Sequence, residues 1–116
     1  MKATELMIGD KVMVKVLSQI PNTYVLHTWT ANDHSRDIQV KPAPLTPEIL
    51  EKNGWKETQY WHEYQDGKNT IQCCLPDMRG RINGIEIEHI KCEYVHQYQH
   101  LLRLCGLKEL ADNFKV

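Results

Sequence analysis

Two histidines in this chain have a spacing that is typical of metal ligands. His96 and His100 stand four residues apart in the segment YVHQYQHLLRLCG, so on a helix both imidazoles lie on one face. Cys92 precedes them by one turn on that face, and His89 comes before the helix. Imidazole and thiolate groups in this arrangement can share a zinc or nickel ion. The residue after His96 is Gln97, so the glutamate base of an HExxH motif is missing.

We favour a structural interpretation of these residues over a metal site. A catalytic zinc ion needs a third protein ligand, and donors strung along one helix do not surround an ion tetrahedrally. His96 and Gln99 can instead form hydrogen bonds to loops or to the end of a sheet. A further alternative is an interaction surface on this side of the helix, formed by His96, Gln99, His100 and Arg103. We therefore predict no metal or other cofactor. If a metal ion did bind, its candidate ligands would be His96, His100 and Cys92.

Cys73 and Cys74 are the candidates for a catalytic nucleophile. Adjacent strand residues point to opposite faces, so at least one of these thiols should be buried. No Lys or Arg lies within three residues and no helix N-terminus follows, so nothing local lowers a thiol pKa. We assign no catalytic residue in this chain.

Basic residues near aromatic residues offer a nucleic-acid alternative. Arg79 and Arg81 lie in residues 76–84, which read as a loop or hairpin tip, and with Lys91 they could contact phosphate. The N-terminal strands could form an oligonucleotide platform from Lys11, Lys15, Trp29 and Arg36. Any half-exposed sheet shows a similar pattern, and the formal net charge of −1 does not favour nucleic acid.

Hydrophobic periodicity indicates the elements that position these groups. At about 100° per residue, one stripe of the helix contains Tyr94, Tyr98, Leu101, Leu102 and Cys105, and Gly106 ends the helix. A stripe of this kind needs a sheet to dock on, because a helix this short is marginal alone in water. The predicted strand 55–64 contains four aromatic residues, Trp55, Tyr60, Trp61 and Tyr64. Trp55, Trp61 and one of the tyrosines should fill the core, and an aromatic residue left outside would mark a contact surface.

The first forty residues are predicted to form a small antiparallel β unit. Val12, Val14 and Val16 alternate with other residues at period two, and further strands are predicted at 23–29 and 37–41. The unit is either a meander or part of a small barrel. A stiff proline-rich joint at 41–45 follows it.

The remainder of the chain is predicted to combine helices with an antiparallel sheet. Thr46 and Pro47 form a helix start, and Asn53-Gly54 ends that helix after about two turns. Strands are expected at 55–64, 69–75 and 85–90, followed by the long helix and a short terminal helix at 107–114. The fold class is α+β, with a β unit at 1–44 and an α+β unit at 45–116 in one compact domain.

Three stretches carry a family resemblance. Glu5-Leu6-Met7-Ile8-Gly9-Asp10, Leu45 to Trp55 and Tyr94 to Gly106 match the motifs ELxIGDxV, LTPEILEKNGF/W and YVHxLQHxLRLCG. With these motifs the chain resembles a family of small uncharacterised proteins from gut anaerobic bacteria and their prophages and mobile elements. It departs from the pattern at Cys92-Glu93 and at Tyr98, where leucine is usual. The resemblance implies no activity, ligand or catalytic residue.

The remaining expectations concern compartment and function. No apolar run suits a signal peptide or reaches the roughly 18 residues of a membrane span, so we expect a cytoplasmic protein with reduced cysteines and no membrane partner. The favoured function is a non-enzymatic accessory or protein-interaction protein carried on a prophage or mobile element. The alternatives are a small nucleic-acid-binding module and a metal-dependent enzyme that uses His96 and His100. The partner and the oligomeric state stay open.

Overall fold

The computed structural model of the chain describes residues 6–16, 23–31, 33, 38–59, 61–74 and 79–116, with the side chains of residues 16 and 86–91 excluded. It contains two antiparallel sheets and three helices, which confirms the α+β class. The buried apolar residues form two clusters. The smaller contains Leu6, Val12, Val14 and Trp29, and the larger begins at Ala43, beside the division predicted at 44/45.

The N-terminal sheet is built from three of the predicted strands. They are β1 (Lys11–Val16), β2 (Val25–Thr28) and β3 (Ile38–Pro42), in the order β2-β1-β3. Because β2 and β3 each pair with β1 and not with one another, the sheet is open in the described part of the chain, and the barrel alternative is wrong. Val12 and Val14 point into the small core, whereas Met13 between them packs against the larger cluster.

The short helix α1 (Pro47–Lys52) begins and ends where the sequence predicts. The Thr46 hydroxyl accepts a hydrogen bond from the Ile49 backbone N–H at 3.3 Å, and Pro47 occupies the first turn, where its missing N–H costs nothing. Gly54 follows with φ +96°, a conformation that favours glycine. The helix thereby buries Leu50 completely.

A five-stranded antiparallel sheet follows, in sequential strand order. Its strands are β4 (Lys56–Glu57), β5 (His62–Asp66), β6 (Asn69–Cys74), β7 (Arg79–Ile82) and β8 (Ile85–Lys91). The predicted strand 55–64 is two strands, because Thr58 turns the chain with hydrogen bonds to the backbone of Trp61. The loop predicted at 76–84 contains β7, and only Asn83-Gly84, both with positive φ, form the hairpin tip.

The long helix α2 (Val95–Leu104) and the terminal helix α3 (Lys108–Asp112) cover one face of this sheet. Tyr98, Leu101 and Leu102 are fully buried, which confirms the predicted apolar stripe. Gly80 allows α2 to approach closely, since a Cβ there would lie 2.3 Å from Leu101 Cδ2. Phe114 anchors the C-terminal segment with its ring 5.6 Å from that of Trp55.

Candidate functional site

The candidate metal ligands of α2 do not converge on one point. His96 is 5 % exposed, and its ring meets that of His100 edge to face at 5.6 Å. His100 Nε2 lies 2.6 Å from Oδ2 of Asp10, the residue directly before β1. Cys92 lies before the helix in the large core, against Cys73 and Gly80. The side chain of His89 lies outside the described residues. The geometry therefore directs these donors to separate structural contacts.

The polar side of α2 makes internal contacts through Gln99, one residue of the predicted interaction surface. Gln99 is fully buried, and its amide bridges two parts of the chain. Its Oε1 accepts from the Lys11 backbone N–H at 2.8 Å, while its Nε2 donates to the carbonyls of Gly9 and Ala111 at 3.0 and 2.9 Å. A buried side-chain amide needs such partners, so Gln99 joins β1, α2 and α3 at one point.

Asp10 is the centre of this contact, and the sequence pattern did not single it out. Its carboxylate is fully buried and receives hydrogen bonds from His100 Nε2 at 2.6 Å, Arg103 Nη1 at 2.5 Å and the Met7 backbone N–H at 2.8 Å. Arg103 also reaches Asp112 at 3.3 Å. His100 and Arg103 are thus ion-pair partners of the turn before β1.

The pKa of Asp10 follows from the balance between burial and these donors. Burial raises the pKa, but the hydrogen bonds from His100, from the Met7 backbone and from Arg103 lower it by more, so it lies below its ordinary value. The pKa of Asp112 is also lowered, chiefly by its hydrogen bond with Lys108. The carboxylate of Asp10 is therefore ionised at neutral pH and serves as a structural anion.

The cysteines have the properties of core residues. All four are thiols, and Cys73, Cys74 and Cys92 are buried. The hydrogen bond between Cys73 and Cys92, together with burial, raises the pKa of Cys73 far above its ordinary value. A nucleophilic cysteine needs a lowered pKa, so the environment of Cys73 disfavours nucleophilic chemistry.

The aromatic residue of the predicted N-terminal oligonucleotide platform, Trp29, is buried. Trp29 is 1 % exposed and fills the small core, so no base can stack on it. Lys11 Nζ donates to Thr28 Oγ1 at 2.6 Å, and Lys15 Nζ lies 5.1 Å from the ring centroid of Tyr24. Arg36 lies outside the described residues.

A different set of basic and aromatic residues meets on the face of the five-stranded sheet that α2 does not cover. Gly80 and Ile82 are buried against the core, so strand alternation places Arg79 and Arg81 on the opposite, outer face. The guanidinium carbons of Arg79 and Arg81 lie 5.4 and 5.2 Å from the ring centroid of Trp61, within the range of a cation–π contact. All three side chains are half-buried. We call this set the Arg–Trp cluster.

Neighbouring side chains define the surroundings of the Arg–Trp cluster. Gln72 lies opposite both Glu63 and Arg81 in the strand register, and its Nε2 donates to Glu63 Oε1 at 2.7 Å. The Nε–H of Arg81 is buried and has no hydrogen-bond acceptor within the described part of the chain. An arginine stacked on an aromatic ring keeps N–H groups at its edge, and those groups suit carboxylate or phosphate.

The predicted aromatic group 55–64 is divided between the two faces of the sheet. Trp55 is 2 % exposed in the core, where its ring stacks on Tyr64 at 4.6 Å and its Nε1 donates to Tyr98 Oη at 3.0 Å. Trp61 was expected in the core together with Trp55, but it faces outward. The reason is that Glu63, two residues further on, pairs with Gln72, which in turn pairs with Arg81 on the outer face of the sheet. Tyr60 lies outside the described residues. The alternation of Arg79 and Arg81 with Gly80 and Ile82 was the signal that could have placed both arginines on a strand.

No family model, curated protein or solved structure matches the chain. Within the described residues, no helix has the length and apolar character needed to cross a membrane. The two candidate regions for function are therefore the Asp10 contact and the Arg–Trp cluster.

Proposed function

We propose that this protein is a non-enzymatic interaction protein that binds an acidic segment of a partner protein through the Arg–Trp cluster. The carrying observation is the pairing of two guanidinium groups with Trp61 on the sheet face opposite α2. Stacking orders the arginine side chains before binding, so less conformational entropy is lost when a carboxylate arrives. Aromatic residues and arginine are also the types enriched at protein interfaces.

The interior supports a non-enzymatic role through the positions of its reactive groups. His100 is bonded to buried Asp10, Cys73 and Cys92 are core thiols, and His27 Nε2 lies 2.7 Å from buried Asp33 Oδ2. Each of these groups contributes to packing or to an internal ion pair. This supports the accessory role over the metal-dependent enzyme that uses His96 and His100.

A protein partner fits the outer face better than nucleic acid. The Arg–Trp cluster offers only two guanidinium groups, which is few for a phosphate backbone. Tight nucleic-acid binding by charge draws on several phosphate contacts, and the chain as a whole has a net charge of −1. A short peptide with two or three carboxylates needs only the two arginine forks. The proposal includes a cytoplasmic location and carriage on a prophage or mobile element, which the motif resemblance implies.

The test is fluorescence anisotropy with two labelled probes, a Glu/Asp-rich peptide and a single-stranded oligonucleotide of similar charge. We expect the peptide to bind and Arg79→Gln, Arg81→Gln and Trp61→Leu each to weaken it by about tenfold or more, since a hydrogen bond to a charged group contributes about 1.5–3 kcal/mol. Arg81→Lys should bind the peptide almost as weakly as Arg81→Gln, because lysine lacks the planar fork of arginine. Lys68→Gln, the same charge change at the exposed β5–β6 turn, is the matched control and should bind like the wild type.

Two outcomes would refute the proposal. Peptide binding that is equal in the wild type and in both arginine variants would show that the Arg–Trp cluster is not the site. Tighter binding of the oligonucleotide, with a steep loss of affinity as salt increases, would favour the nucleic-acid module instead.

A further inference from the structure

We infer that Glu51, Glu57 and His62 form a binding site for one divalent transition-metal ion, with zinc as the ion used to test it. These residues come from the last turn of α1, from β4 and from the start of β5, and one donor atom of each lies within 4.8 Å of the others. His62 and Glu57 are direct partners in the β4–β5 register, so both point to the same face of the sheet, the one against which α1 packs. The site is separate from His96 and His100, and it departs from our expectation of no metal.

The buried imidazole of His62 distinguishes this group from a pair of exposed carboxylates. Its side chain is 12 % exposed, and its Nε2 atom is buried without a hydrogen-bond partner among the described residues. This nitrogen lies 3.6 Å from Glu51 Oε1, too far for a hydrogen bond. A buried ring nitrogen with an unused lone pair or proton costs free energy, and a metal ion supplies the missing partner.

The distances suit a tetrahedral ion. With bonds of about 2.0–2.2 Å to nitrogen and carboxylate oxygen, neighbouring donors of tetrahedral zinc lie about 3.4 Å apart. The separation of 3.6 Å between His62 Nε2 and Glu51 Oε1 is already close to that value. The Glu57 carboxylate is exposed, so its side chain can turn by the small distance that remains. Three protein ligands leave a fourth position for water.

Charge and ligand type define the ion class. Two carboxylates within 4.8 Å of each other repel one another, and a divalent cation between them reverses that repulsion. One imidazole beside two carboxylates suits zinc, cobalt or manganese, whereas magnesium prefers an all-oxygen shell with several waters. Because both glutamates are exposed, we expect an exchangeable site and not a buried structural one.

The test uses the full chain without an affinity tag, treated with a chelator and dialysed. Calorimetric titration with ZnCl2 should give one bound ion per chain, and saturating zinc should raise Tm by about 5 °C or more, because a ligand that binds only the folded state stabilises it. MgCl2 at the same concentration should leave Tm unchanged. Cobalt should give visible absorption of a tetrahedral nitrogen and oxygen site, without the intense near-ultraviolet band of a thiolate ligand.

Three variants and one control locate the ion. His62→Gln, Glu51→Gln and Glu57→Gln should each weaken zinc binding at least tenfold, and the exposed position of Glu57 keeps that variant informative if the others fold poorly. Glu48→Gln, at the first turn of the same helix, removes one exposed carboxylate away from the site and should bind zinc like the wild type. Absence of a zinc-dependent Tm shift, or zinc binding that survives Glu57→Gln and His62→Gln, would overturn the inference.

Discussion

Replacing Asp10 with asparagine should destabilise the protein strongly, because Asp10 is a buried carboxylate with three donors. The substitution keeps the volume and one acceptor oxygen, but removes the negative charge that His100, Arg103 and the Met7 backbone N–H share. Asp10 is fully buried and the Arg103 side chain is only 10 % exposed, so water cannot replace the lost bonds. The contact between β1 and α2 is therefore the part of the molecule that this change weakens.

The magnitude follows from the number and type of bonds lost. A hydrogen bond to a charged group contributes about 1.5–3 kcal/mol, and removal of one partner of a buried ion pair costs about 3–5 kcal/mol. Arg103 keeps its contact with Asp112 at 3.3 Å, which places the expected loss near the lower limit, at about 3 kcal/mol. This is a large share of the roughly 5–15 kcal/mol that stabilises a typical domain.

The pH dependence gives an independent check of the same carboxylate. In the folded protein the pKa of Asp10 is lowered, so the group contributes stability above its unfolded pKa of about 3.9 and loses that contribution as the pH falls through the lower folded pKa. The free-energy difference between wild type and Asp10→Asn should be complete above about pH 5 and shrink below about pH 4. The pKa of Asp112 is lowered as well, but this group is present in both proteins and largely cancels.

Urea unfolding followed by circular dichroism, repeated from pH 7 to pH 3, measures both effects. Asp66→Asn, which removes an exposed carboxylate at the end of β5, is the control and should stay within about 0.5 kcal/mol of the wild type. A double-mutant cycle with Arg103→Gln should show coupling of about 1 kcal/mol or more between Asp10 and Arg103. The reasoning is refuted if Asp10→Asn costs less than about 1 kcal/mol at pH 7, or if its cost does not change on acidification.

Further predictions concern the core, the helix cap and the thiols. Leu101 is fully buried, so Leu101→Ala should lower the free energy of unfolding by about 2–5 kcal/mol, and a loss near zero would mean that the α2 stripe is misassigned. Gly80→Ala should cost about 1–3 kcal/mol in the same denaturant melt, because the new methyl group would overlap Leu101; a neutral result would contradict the close approach of α2. Thr46→Ala should cost about 1 kcal/mol while Thr46→Ser stays nearly silent, and equal melts for both would show that the Thr46 cap contributes nothing. Thiol titration should find all four cysteines in unfolded, unreduced protein but only partly exposed Cys105 in the native state; fewer thiols after unfolding would indicate a disulfide.

Elements whose signals are local could be predicted from the sequence. Thr46 and Pro47 at a helix start, the alternating valines of β1 and the apolar stripe of α2 each act within a few residues, and the structure confirms them. Residues 79–82 were predicted to belong to a loop or hairpin tip, because Pro76, Asp77, Gly80 and Asn83-Gly84 lie in or beside them. Their strand depends on Gly80 admitting Leu101, a contact between residues distant in the sequence.

The chemical roles of the singled-out side chains were decided by tertiary structure. Helical periodicity placed Cys92, His96, His100 and Arg103 on the side opposite the apolar stripe, but it could not show whether water or protein lies there. The answer is the turn before β1, about ninety positions away, where Asp10 supplies the matching charge. The same limit applied to Trp61, whose pairing with the arginines of β7 needed the strand register. The period of a sequence determines which side chains share a face, while the partner of that face is determined by the packing of distant elements.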